Sequence, residues 1–176
     1  MKRSSVSVPI LLTLFFLLLA GCGKDDDSTE LIGYVIKENA ASILVIGDAS
    51  SNMQNSQAPE AMSLGVTNAK WKGITAGKLQ VGHKVRVTIH GPIALSYPAQ
   101  ANAAKIELLE QAPKKPGILS EQEAVEKALS QHADRNSLYV NRAELLPSEK
   151  VWRIELDDYL RPGNPTEVRI DAASAP

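Results

Sequence analysis

The clearest hydrophobic pattern in the chain is an alternation within residues 79–91. Val85, Val87 and Ile89 are apolar, and the residues between them are polar or charged. Because successive side chains of a β-strand point to opposite faces, this pattern predicts a strand with one face in a core and the other in solvent.

Four shorter runs have strand character as well. Partly β-branched apolar residues at 31–37 and 42–47 predict a hairpin, and the unbroken apolar run at 43–46 predicts burial on both faces. Further short strands are predicted at 69–75 and 104–109. Residues 48–63 lack a clean period and predict a long loop. Since only strands and turns are expected from residue 31 to 111, and closure removes exposed edges, the pattern predicts a small β-barrel.

A different pattern follows the charged, proline-containing stretch 113–117, which neither a helix nor a strand can continue through. Ser120 and Glu123 have the spacing of a capping box, and the apolar stripe behind them predicts a helix to about residue 131. Three runs then predict antiparallel strands for the helix to cover: 137–145, 151–157 and 166–172. The predicted fold class is therefore α+β, with a β-barrel followed by a helix-plus-three-stranded-sheet module that is marginal alone and leans on the barrel.

The N-terminal apolar segment predicts export. Residues 8–20 follow Lys2 and Arg3, and thirteen helical residues reach only about 20 Å, less than the ~30 Å core of a bilayer. The segment therefore has the character of a cleaved signal and not of a membrane span. It ends in a sequence that resembles the lipobox of bacterial lipoproteins: Leu19, Ala20, Gly21 and Cys22.

Cys22 is the predicted lipidation site, and an ordinary secretory signal with a nearby cysteine is the alternative. These patterns divide the chain into a signal peptide (1–21), an acidic tether (22–30), the barrel (31–112), a linker (113–117) and the α+β module (118–173). Because Cys22 is the single cysteine, a disulfide framework is excluded. Two acyl chains on Cys22 would hold the protein on a membrane.

Charge argues against a nucleic-acid partner. Removing Lys2 and Arg3 from the 19 basic residues leaves 17 against 20 acidic ones, a formal charge of −3. No cluster of lysine and arginine is dense enough to follow a phosphate backbone.

Candidate catalytic and metal-binding residues are few. The three histidines are His83, His90 and His132; the predicted strand puts the first two on opposite faces, and the third complements a helix C-terminus. Asp157 and Asp158 are expected to be solvated turn residues. With no G-x-S-x-G turn and no phosphate-binding glycine loop, no catalytic residue, metal or cofactor is predicted, and the chain is not expected to be an enzyme.

Aromatic residues are the remaining candidates for binding. Trp71 and Tyr97 are the candidate binding surface, and Trp152 and Tyr159 could extend it. Core packing is the alternative for each of them.

Three segments of the first module resemble the DUF3221 family of secreted lipoproteins. They are Gly33-Tyr34-Val35, residues 81–87 (VGHKVRV) and residues 96–100 (SYPAQ). The resemblance implies an OB-like barrel and an exported, lipid-anchored protein whose biochemical role is unassigned. His83 departs from the family pattern, in which an acidic residue is expected.

The second module resembles a PepSY unit, on residues 119–125 (LSEQEAV), 151–156 (VWRIEL) and 168–172 (VRIDA). This resemblance implies a role in binding an extracytoplasmic protein. Taken together, the sequence predicts a noncatalytic lipoprotein on the extracytoplasmic face of a Gram-positive cell membrane, binding a protein or a wall-derived ligand. The alternative is an inhibitor or folding aid for a secreted peptidase.

Overall fold

The computed structural model describes residues 28–48, 59–109, 116–132, 134 and 137–173. The predicted signal peptide, the lipobox residues Leu19, Ala20 and Gly21, and the lipidation site Cys22 lie outside the described residues, as does most of the predicted linker.

Five strands close into a barrel in the first module. The strands of this module are β1 (Ser28–Glu38), β2 (Ser42–Gly47), β3 (Ala61–Gly65), β4 (Lys70–Lys72), β5 (Lys84–His90) and β6 (Ala99–Leu108). The ring runs β1-β2-β3-β6-β5 and back to β1; every pair is antiparallel except β3 with β6. This is the strand order of an OB-like barrel. The short strand β4 lies outside the ring and pairs in parallel with β6.

The interior of the barrel is formed by alternate residues of its strands. Val85, Val87 and Ile89 are buried in this core, which confirms the alternation predicted for this strand. The other buried members include Leu31 and Val35 of β1, with Ile43, Val45, Met62, Leu64 and Ile106 from the neighbouring strands. Their packing removes a continuous apolar surface from water, which is the main stabilising contribution to such a fold.

One prediction about these strands was wrong. The predicted loop 48–63 runs into β3, which closes the barrel; Met62 and Leu64 alternate toward the core, but the segment has no β-branched residue to indicate a strand. The strand predicted within residues 79–91 runs from Lys84 to His90, after a turn in which Gly82 adopts a φ of 88°.

The second module contains α1 (Glu121–Ser130) and the sheet β7-β8-β9, built from β7 (Leu138–Leu146), β8 (Val151–Asp158) and β9 (Thr166–Asp171). The predicted capping box is confirmed: the Ser120 hydroxyl accepts from the Glu123 N–H, and the Glu123 carboxylate accepts from the Ser120 N–H. All three strands are antiparallel, as predicted.

The two modules share a core. Four residues on the outer wall of the barrel, Tyr34, Ile36, Ile46 and Ala61, are buried among the helix and sheet side chains of the second module. This confirms that the second module leans on the barrel. It also explains the continuous apolar run of β2, since Ile43 and Val45 face the barrel interior while Ile46 faces the second module.

Candidate functional site

The barrel has two distinct ends. At one end β1 finishes and β2 and β5 begin; we call this the cleft end. At the other end β1 and β6 begin and β5 finishes; we call it the Ser28 end, because Ser28 pairs there with His90.

A cleft of about 420 Å³ opens at the cleft end. Its apolar part includes Ile43, Val66 and Leu79, all buried against the barrel core, and the Trp71 side chain forms one wall. Glu38 and Gln80 provide polar groups at the same site. A volume of this size lies within the range of small-ligand sites, and the lining offers polar groups as well as an apolar, aromatic wall.

The loops that form the cleft are held by local hydrogen bonds. The side-chain oxygen Oδ1 of Asn39 accepts from the backbone N–H groups of Ala41 and Ser42 at 2.9 Å each, which fixes the turn between β1 and β2. The Gln80 N–H donates to Nδ1 of His83 at 2.9 Å. Burial lowers the pKa of His83 below its usual 6.5, so the neutral form that accepts this bond is favoured.

Trp71 is held by strand pairing and by a charge cluster beside it. It lies opposite Ile106 in the β4–β6 ladder and packs on the barrel core while lining the cleft. On the adjoining residues, Glu107 accepts from Lys105 at 2.8 Å and from Lys72 at 2.5 Å. These lysines lower the pKa of Glu107 to about 2. The tryptophan is therefore positioned before any ligand arrives, which reduces the entropic cost of binding.

Tyr97 lies at the Ser28 end. Its hydroxyl donates toward the carbonyl oxygens of Pro59 and Tyr159, at 2.9 and 3.0 Å, and its ring meets the Tyr159 ring edge-on at a centroid distance of 5.5 Å. Burial raises the pKa of Tyr97, and Tyr159 and Asp158 contribute. Tyr97 thus joins the barrel to the second module while 48% of its surface stays exposed.

The structure does not bring Trp71 and Tyr97 together. Met62 of β3 pairs with Ala99, two residues after Tyr97, whereas Trp71 pairs with Ile106. Ala99 and Ile106 are seven residues apart in β6, about 23 Å along an extended strand. Tyr97 and Trp71 therefore lie near different ends of this strand.

The other two aromatic candidates belong to the core. Trp152 is 5% exposed, and its Nε1 donates to the Leu119 carbonyl oxygen at 3.0 Å; Tyr159 is 7% exposed. The expectation of a solvated Asp157 was wrong. This residue is 6% exposed and accepts from the N–H groups of Asp158 and Gly163, both at 2.8 Å, so it organises the β8–β9 connection.

A polar cluster at the junction of the modules was not anticipated from the sequence. The Tyr34 hydroxyl donates to Glu121 at 2.6 Å, and the Lys84 ammonium lies 5.4 Å from the Tyr34 ring centroid and 2.5 Å from Asp48. Burial, with Glu121 and Asp48, raises the pKa of Tyr34. The cluster attaches the first turn of α1 to β1. The GYV sequence that contains Tyr34 was the only signal pointing to it.

Across residues 28–48, 59–109, 116–132, 134 and 137–173, no three His, Cys, Asp or Glu side chains are grouped so that they could hold a metal ion. In that part of the chain, no helix has both the length and the apolar character needed to cross a bilayer.

A protein-family match lies within the first module. Residues 32–110 match DUF3221, a family described as proteins of unknown function. Two solved structures are similar: a yobA protein from Bacillus subtilis subsp. subtilis strain 168, with 21% identity over 49% of this chain and all of that one (TM-score 0.38), and the solution structure of Bacillus subtilis YobA residues 21–120, with 21% identity over 51% of this chain and 88% of that one (TM-score 0.36). No curated protein matches the chain.

The DUF3221 match agrees with the resemblance noted for residues 33–35, 81–87 and 96–100, and it covers all three segments. It carries no assigned activity. The PepSY-like interpretation of the second module remains a prediction.

Proposed function

We propose that the chain is a noncatalytic cell-envelope lipoprotein that binds a wall-derived saccharide at the cleft end of its barrel. Acylated Cys22 would hold it on the extracytoplasmic face of a Gram-positive membrane. The observation that carries the proposal is the cleft of about 420 Å³ with Trp71 as one wall. No feature of the described residues favours the alternative of a peptidase inhibitor.

The composition of the cleft supports a saccharide. A sugar ring has an apolar face of C–H groups and a periphery of hydroxyls. The indole of Trp71 offers a flat apolar surface, while the Glu38 carboxylate and the Gln80 amide can exchange hydrogen bonds with hydroxyls. OB-like barrels bind oligosaccharides with their strand faces and connecting loops, which is consistent with this use of the fold.

Titration of the protein with the wall disaccharide N-acetylglucosaminyl-N-acetylmuramic acid tests the proposal. We expect the disaccharide to change the intrinsic fluorescence, because Trp71 would pass from water into a contact. Trp71→Ala should abolish both the change and the binding heat. Trp152→Phe is the matched control, since Trp152 is buried away from the cleft and its replacement should leave the titration intact.

Equal binding heats for the wild type and Trp71→Ala would contradict this site. A short wall peptide, titrated in parallel, should give no signal that depends on Trp71. The tether is tested separately: Cys22→Ala should release the protein from membranes, and mass spectrometry should find an acyl adduct on the wild type.

A further inference from the structure

Exposed apolar side chains that do not pack in the barrel core form an apolar tip at the Ser28 end. We define it by the three large apolar side chains that are exposed among the described residues: Leu95, Tyr97 and Leu160. Leu95 is fully exposed and Leu160 is 57% exposed. Tyr97 connects the other two positions: Leu95 lies two residues before it in the chain, and Leu160 follows Tyr159, whose ring and carbonyl oxygen contact Tyr97.

The loop that carries Leu95 is ordered by its own hydrogen bonds. The Ala94 N–H donates to the Gln100 carbonyl at 2.8 Å, and the Ser96 N–H donates to the Ala94 carbonyl at 2.9 Å, which closes a tight turn around Leu95. The Ser96 hydroxyl donates to the Pro98 carbonyl at 2.7 Å. The Leu95 side chain is therefore held in solvent by a hydrogen-bonded turn, and it does not pack in the core.

The position of the tip is set by the strand that begins beside it. Ser28 pairs with His90, and the loop with Leu95 starts directly after His90. Cys22 precedes Ser28 by six residues, which span at most about 22 Å even when fully extended. A bilayer that holds acyl chains on Cys22 must therefore lie within that distance of the Ser28 end.

We infer that the apolar tip inserts into the interfacial region of the bilayer to which Cys22 is anchored, so that the cleft end points away from the membrane. This inference rests on the acylated tether of the proposed function. A tyrosine ring is suited to the headgroup level, and the wholly apolar leucine side chains are suited to burial at the boundary with the acyl chains. Arg161, exposed next to Leu160, can reach the headgroups.

The contact between the apolar tip and the bilayer has to be stabilised by burial of apolar side chains and not by attraction between charges. The tether contains three consecutive aspartates at 25–27, which an anionic surface would repel. We therefore expect the contact on vesicles of neutral phosphatidylcholine, and burial of each leucine should change partitioning by about tenfold or more.

The test uses the full acylated protein reconstituted in phosphatidylcholine vesicles. Since Cys22 is the single cysteine and its sulfur would be acylated, Leu95→Cys provides one thiol for an environment-sensitive NBD label. Gly77→Cys is the matched control at the cleft end, where an added Cβ meets no atom within 4 Å. We expect a lipid-borne quencher to reach the label at 95 several-fold better than the label at 77, and iodide in solution to show the opposite preference. Leu160→Cys, as a second position on the tip, should behave like Leu95→Cys.

Three results would overturn the inference. Equal access of iodide to positions 95 and 77 would place the tip in water. A label at 95 shielded from both quenchers would indicate a protein contact. Absence of an acyl adduct on Cys22 would remove the tether and the membrane orientation together, whereas the first two results would leave the tether and the saccharide site standing.

Discussion

The two modules obtain their cores in different ways. The barrel is filled by side chains of its own strands, and its ring of strands has no open position. The second module buries its helix and sheet together with four residues of the barrel wall, Tyr34, Ile36, Ile46 and Ala61. A closed sheet satisfies its own edges, but a three-stranded sheet with one helix, in a unit of this size, buries only enough apolar surface for marginal stability. The second module therefore depends more on the barrel than the barrel depends on the second module.

Separating the modules should give the largest effect. We expect a chain that ends at residue 112 to unfold cooperatively, with roughly 3–6 kcal/mol lost because its outer wall is exposed. Residues 116–176 alone should show no cooperative transition, because their core lacks the barrel wall. Thermal melts followed by circular dichroism measure both. A sharp transition in the isolated 116–176 fragment would show that the second module is independent.

Substituting Gly82 should weaken the contact between the modules through a steric clash with α1. An added Cβ at Gly82 would lie 2.4 Å from the Gln122 carbonyl oxygen of α1, whereas at Gly91 it would meet nothing within 4 Å. Both glycines have φ near 90°, so Ala at either position bears a similar backbone cost of about 1 kcal/mol. We expect Gly82→Ala to lose about 1–3 kcal/mol more than Gly91→Ala in denaturant titrations. Equal losses would mean that α1 shifts freely on the barrel.

The smallest expected effect is a pH dependence of the stability that arises from His83, which follows Gly82 in the same turn. The pKa of His83 is lower in the folded chain than its usual 6.5, so the unfolded chain binds the proton more readily. The stability that neutral His83 contributes is complete above pH 6.5 and declines as the pH falls from there through the folded pKa. Because the side chain is partly exposed, solvent screening keeps this contribution to the free energy of unfolding small, below about 1 kcal/mol.

His83→Asn should remove this component, since an amide oxygen can still accept from the Gln80 N–H without titrating near neutrality. Denaturant midpoints at pH 7.5 and 5.5 measure the difference. If the variant and the wild type lose stability equally over this interval, His83 makes no contribution to it.

Local patterns allowed much of the fold to be predicted from the sequence. The alternation of Val85, Val87 and Ile89, the run at 42–47 and the Ser120–Glu123 capping box each depend on residues a few positions apart, and all three were confirmed. The strand β3 was missed because its stability comes from closing the ring between β2 and β6, which no local signal reports.

The aromatic residues of the candidate site could be selected from the sequence, but their surroundings could not. Trp71 could be singled out as an aromatic residue in a predicted short strand, but the cleft exists because the β1–β2 turn and residues 76–80 meet at one end of the barrel. The partners of Tyr97 are 38 and 62 residues away in the chain, Pro59 and Tyr159. Their proximity depends on tertiary packing, and a pattern of residue types does not encode it directly.

The pairing of β1 has a mechanical consequence. This eleven-residue strand is bonded on one side to β2 and on the other to β5, and it begins at the end from which the chain leads back to Cys22. Tension between an anchored N-terminus and a load held at the opposite end of the barrel would act along β1. The interstrand hydrogen bonds lie across the direction of pull and would resist it together, in shear, and would not open one after another.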